Sequence, residues 1–169
     1  MRKIILSVIL ITILVLTFIS NFIIADNPIP AEAVKFDTGD TAWMIVATAF
    51  VLLMTPGLGF FYGGMVGKKN VISTMLQSFM AMVIVTILWT IVAFGLAFGP
   101  SIGGIIGDPS QNLFFAGVGT NTAWSLAPTI PFILFALFQA KFAIITPALI
   151  TGAFAERVRF WAYLLFMVL

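Results

Sequence analysis

Three apolar stretches long enough to cross a bilayer, 42–66, 71–98 and 131–155, carry one formal charge between them, Lys141. A hydrocarbon core about 30 Å thick takes about 20 helical residues. Lipid offers no water to a free N–H or C=O, so a spanning segment must satisfy its backbone within itself or in a closed barrel. Runs this long, without strand-like alternation, predict helices. The composition agrees, since 62% of residues are hydrophobic and 8% charged, against roughly 45–50% apolar and about 25% charged in a soluble domain. The expected fold class is all-α, a polytopic membrane protein.

Two shorter stretches flank these spans. Residues 1–33 join a basic start, Arg2 and Lys3, to an apolar run and the small-residue pattern Ala31-Glu32-Ala33. That order is the layout of a secretory signal peptide, with an uncleaved leader helix as the alternative. Residues 34–169 then form the membrane domain. Its fourth apolar run, 160–169, has ten residues and as a helix rises only about 15 Å. It reads as an incomplete span of a longer protein, or else as a short re-entrant helix.

Charge sorts the connections. Lys68-Lys69 and Arg157-Arg159 form basic turns, whereas Asp37, Asp40 and Asp108 lie on the opposite connections. Basic loops stay in the cytoplasm, so the mature N-terminus is expected outside a cell membrane. The basic residues are scattered without an aromatic-basic surface, which argues against nucleic acid. With no cysteine and no histidine, thiolate sites and the commonest metal ligand are excluded. No phosphate-loop or hydrolase motif is present, so neither an enzyme nor a cofactor is expected.

What remains for function is aromatic faces, broken helix backbone and a few polar groups. In 55–64, "TPGLGFFYGG", Pro56 removes a backbone donor and is expected to kink a tightly packed helix, with Asp40 or Thr41 as its N-cap. Phe138, Phe142, Ile145 and Leu149 follow helical spacing on one face. Stacked phenylalanines there serve either helix packing or a pore lining whose ring faces attract a small cation. Gln77, Gln139 and Thr146 suit hydrogen bonds between helices. Asn70 suits a cap of the second span, and Glu156 a local salt bridge with Arg157 or Arg159. Lys141 is costly in lipid and would repel a cation beside it, so its side chain is expected to point away from the phenylalanine stripe.

The stretches "DTAWMIVATAFVLLMTPGLGFFYGGMVGKKNV" and "FQAKFAIITPALITGAFAERVRF", with the span between them, resemble the ammonium transporter family, the Amt/Mep/Rh channels. P-G-x-x-x-F-Y-G-G, K-N, F-Q-x-x-F-A and G-A-x-A-E-R carry the resemblance, which covers 40–169. It implies a homotrimer of subunits with about eleven spans in two inverted repeats, of which this chain supplies the first four helices, the fourth truncated. It further implies an ammonium or ammonia substrate and a trimeric nitrogen-signalling regulator at the cytoplasmic face. Phe142 matches the outer gate, Phe138 the recruitment ring, and Leu58, Phe61 and Tyr62 the pore wall. The family's paired pore histidines fall beyond Leu169, so conduction by this chain alone is not expected. A non-transporting assembly or sensor subunit, or a nonfunctional fragment, is the alternative.

Overall fold

The computed structural model describes residues 35–169; the proposed signal peptide lies outside them. Four helices account for most of the described residues: α1, Thr38–Met65; α2, Val71–Phe98; α3, Phe132–Phe154; and α4, Phe160–Val168. The first three are long and apolar enough to cross a membrane. They pack against one another pairwise, and α4 lies on α2. Asp37 caps α1 in place of Asp40 or Thr41, its carboxylate accepting from the Asp40 N–H at 2.8 Å. The helix therefore starts four residues before the apolar run, because a cap needs an acceptor three residues ahead of a free amide, not a boundary in hydropathy.

Helix packing relies on small residues, as expected where lipid supplies no hydrophobic drive between helices. Gly59 and Gly63 of α1 are buried against α2, and a Cβ on Gly63 would come within 2.9 Å of Met75 Cγ. Pro56 sits inside α1, whose helical assignment runs unbroken through it.

The C-terminal end of α2 departs from α geometry. A π turn spans Trp89–Ala93, and its i→i+5 pairing swings Phe94 over Trp89, ring centroids 5.8 Å apart. Phe98 follows one turn later, 5.4 Å from Phe94. These rings meet Phe132 and Trp124 in a buried aromatic cluster, fastened by the Trp89 indole N–H donating to the Ala136 carbonyl at 3.1 Å. Each such ring pair contributes about 0.5–1.5 kcal/mol beyond area burial.

The connection 99–130 holds a two-stranded hairpin, β1 (Ser101–Ile102) and β2 (Ile106–Gly107), then a kinked 3-10 segment over Pro109–Phe115. Gly95 lets this connection lie on α2, since a Cβ there would meet the Pro109 backbone at 2.9 Å.

Candidate functional site

Phe138 and Phe142 stand one turn apart on α3, so their rings meet. The centroids are 5.1 Å apart with the planes at 69°, edge to face. Phe138 is half-buried, and Phe142 is 44% exposed. The helical stripe they begin is uneven: Ile145 is buried and Leu149 half open. Packing within these helices thus accounts for Ile145 but leaves Phe142 with an uncovered face. Lys141 is half-buried between them in sequence.

Tyr62 belongs to a different level of the bundle. Its hydroxyl donates to the Leu149 carbonyl at 3.0 Å, and its ring lies where a side chain on Gly152 would be, with a Cβ there 2.6 Å from Tyr62 Cε1. Leu149 is seven residues beyond Phe142, about 10 Å along the axis. Phe61 is exposed and touches Tyr62 edge-on at 5.3 Å, while Leu58 is half-buried. The structure therefore places the five residues in two groups, the phenylalanine pair on α3 and the Leu58–Tyr62 turn of α1 nearer the basic end.

The polar residues take partners other than those read from the sequence. Thr146 donates to the Phe142 carbonyl at 2.8 Å, within its own helix, a common resting place for a helical threonine. Gln77 is buried with Oε1 unpartnered among the described residues, and Gln139 lines an outer cavity. Asn70 precedes α2 but makes no side-chain cap. Its amide donates to Glu156 Oε1 at 3.0 Å, and the Gly67 N–H donates to the same oxygen at 2.7 Å. Glu156 thus joins the two basic turns instead of pairing with its neighbouring arginines. These donors, Asn70 first and Gly67 second, hold its carboxyl below the usual range. The backbone at Glu156 is left-handed, φ 65°, the conformation that ends a helix and that glycine usually supplies.

Sequence reading missed the surroundings of Gln139. A cavity of about 590 Å³ opens at the end of the bundle opposite the basic turns, lined by Phe98, Trp124, Phe135 and Gln139. Trp124 lies nearly parallel to Phe135, centroids 5.9 Å apart. The aromatic density of 89–135 was visible, but only the fold shows that rings from three segments converge.

Comparison with known proteins bears on this arrangement. The family model described as Ammonium Transporter Family matches residues 42–169. The chain belongs to the ammonium transporter family. The ammonium transporter of Mycobacterium tuberculosis strain H37Rv is 50% identical over 143 residues, covering 77% of this chain and 30% of that protein. The ammonium transporter of Bacillus subtilis is 48% identical over 134 residues, covering 78% of this chain and 32% of its own. The crystal structure of Saccharomyces cerevisiae Mep2 superposes with a TM-score of 0.66 at 32% identity, over 78% of this chain and 29% of that one. The chain thus spans about 30% of the length of these ammonium transporter relatives, which are named as transporters and not as enzymes. Both the Phe138–Phe142 pair and the Leu58–Tyr62 turn lie within the matched residues.

Proposed function

We propose that this chain supplies the N-terminal helices of an ammonium channel in a cell membrane, with Phe142 as the outer gate and Phe138 as the ring that receives ammonium. The observation that carries the reading is the edge-to-face pair on α3 with Phe142 uncovered, in a chain of this family. The negative face of a ring attracts a small cation by about 0.5–2 kcal/mol as water is removed. Two rings one turn apart also leave no gap between them, so they can admit solute only by moving. Ammonium would rest against Phe138, and the transported species would pass inward by way of Phe142. Leu58, Phe61 and Tyr62 would line the route further in.

The Tyr62 contacts refine this role: a hydroxyl already bound to the Leu149 carbonyl is a wall, not a free ligand. Paired pore histidines, a second inverted repeat and trimer partners would come from helices that this sequence does not contain. A homotrimer with its N-terminus outside, after removal of a signal peptide, and a trimeric regulator at the basic turns complete the proposal.

The test is a chimera in which residues 38–169 replace the matching segment of the Bacillus subtilis ammonium transporter, assayed for ammonium flux in vesicles. Flux from the chimera, lost on Phe142→Asp, is the expected result. Flux unaffected by Phe142→Asp removes the gate assignment. Absence of flux from a well-folded chimera favours the non-transporting reading. The isolated chain is expected not to conduct.

A further inference from the structure

Helix α3 is chemically divided. Pro147 has no amide proton, so the Ala143 carbonyl, one residue beyond Phe142, lacks its donor in the helical ladder. The two halves are fastened by different groups. The half bearing the phenylalanine pair is tied to α2 by Trp89 and to the outer connection by the Ile133 N–H, which donates to the Gly119 carbonyl at 3.1 Å. Beyond the break, the Pro147 carbonyl receives the Tyr163 hydroxyl of α4 at 3.2 Å. Thr151 Oγ1 lies 3.2 Å from the same carbonyl and 3.3 Å from the Tyr163 hydroxyl. Each hydroxyl has one proton: with that of Tyr163 on the Pro147 carbonyl, Thr151 directs its own at the Tyr163 oxygen or at that carbonyl. Tyr163 and Thr151 are both fully buried, so neither hydroxyl has water as an alternative.

We propose that the Tyr163 hydroxyl is a positioning group: it latches the half of α3 beyond the proline break against the anchored phenylalanine half and so sets how tightly the route closes just past Phe142. The latch links α4 to the gate helix, because α4 otherwise packs chiefly on α2. Phe154 supports it from below, its ring 5.8 Å from Tyr163 and 5.9 Å from Phe166. Tyr163→Phe keeps the ring and its packing and removes only the hydroxyl. The half beyond the break is then free to tilt against the anchored phenylalanine half, and a route that can widen past Phe142 discriminates less against a wider cation.

This inference rests on the gate reading, and two measurements separate the two. In the conducting chimera, Tyr163→Phe is expected to raise methylammonium flux relative to ammonium about fivefold, the equilibrium equivalent of one ordinary net hydrogen bond. Thr151→Val is expected to act in the same direction and to add little in the double variant, whereas Thr151→Ser restores the original ratio. A ratio that stays constant, whether both fluxes hold or fall together, overturns the latch. If the unsubstituted chimera carries no flux, the gate reading fails and the latch is judged in the chain itself. There, amide exchange over 144–151 in micelles is expected to be about fivefold faster in Tyr163→Phe, and an unchanged rate overturns it.

Discussion

A tight fit between helices pairs a residue with no side chain and one with a large one. Tyr62 fills the space over Gly152, where even a methyl group would stand 2.6 Å from its ring. Gly152→Val is therefore expected to destabilise the helices by about 1–3 kcal/mol through overpacking. Thermal unfolding in micelles measures it, and Tyr62→Ala in the same chain should recover most of the loss. Recovery is the informative part, since a penalty from helix propensity alone would persist without Tyr62. Tyr62→Phe asks a different question, because it leaves the contact and deletes the bond to the Leu149 carbonyl. Hydrogen bonds between membrane helices average about 0.6 kcal/mol. Tyr62→Phe should therefore cost less than Gly152→Val, and the reverse order would mean that the hydroxyl, not the fit, holds α1 to α3.

At the scale of elements, the apolar runs 42–66, 71–98 and 131–155 coincide closely with the helices Thr38–Met65, Val71–Phe98 and Phe132–Phe154. A lipid-facing segment must be apolar along its whole length, so its pattern is local and legible. Helix ends and connections obey longer-range rules. The bonds to Glu156 from Gly67 and Asn70 cross 89 and 86 residues, and nothing near Glu156 in sequence points to them. The Phe138–Phe142 pair was readable because its partners are four residues apart, whereas the Tyr163 latch joins two helices and was not. The Glu156 link also carries a pH dependence of definite sign. Its hydrogen bonds favour the charged form, so its folded pKa lies below the usual 4.5. Stability from such a group is present above the unfolded pKa and is lost as pH falls through the folded one. Asp108, held down first by the Ser110 hydroxyl and then by its N–H, adds the same sign at the other end. Unfolding temperature is expected to drop as pH falls below about 4.5, with a shallower drop in Glu156→Gln and the shallowest when Asp108→Asn is added. An identical acid slope in all three proteins would show that neither carboxylate is linked to folding.

Across the whole molecule, these links give the bundle two unlike ends. Glu156 joins the 67–70 turn to the end of α3, which gathers Lys68, Lys69, Arg157 and Arg159 on one side. At the opposite end, the Asp37 N–H donates to the Thr129 carbonyl at 2.9 Å, bringing the start of α1 beside the connection that carries Asp108. Three mutually packed spans with alternating direction put the two basic turns on one side and the Asp108 connection on the other, and the tendency of basic turns to stay in the cytoplasm predicts which side is inside. The sequence has no cysteine, so a single introduced thiol reports its own side without background. Lys68→Cys and Arg157→Cys are expected to react with a membrane-impermeant maleimide only in inside-out vesicles. Gln111→Cys, exposed beside the outer connection, should react only in right-side-out vesicles. Labelling of 68 and 157 from opposite sides would break the Glu156 link and, with it, the parallel alignment of α1 and α3. All three on one side would mean that neither α2 nor α3 crosses. If 68 and 157 share a side but it is the outer one, the helices are paired as described in an inverted membrane orientation, and Phe142 could then no longer be an outer gate.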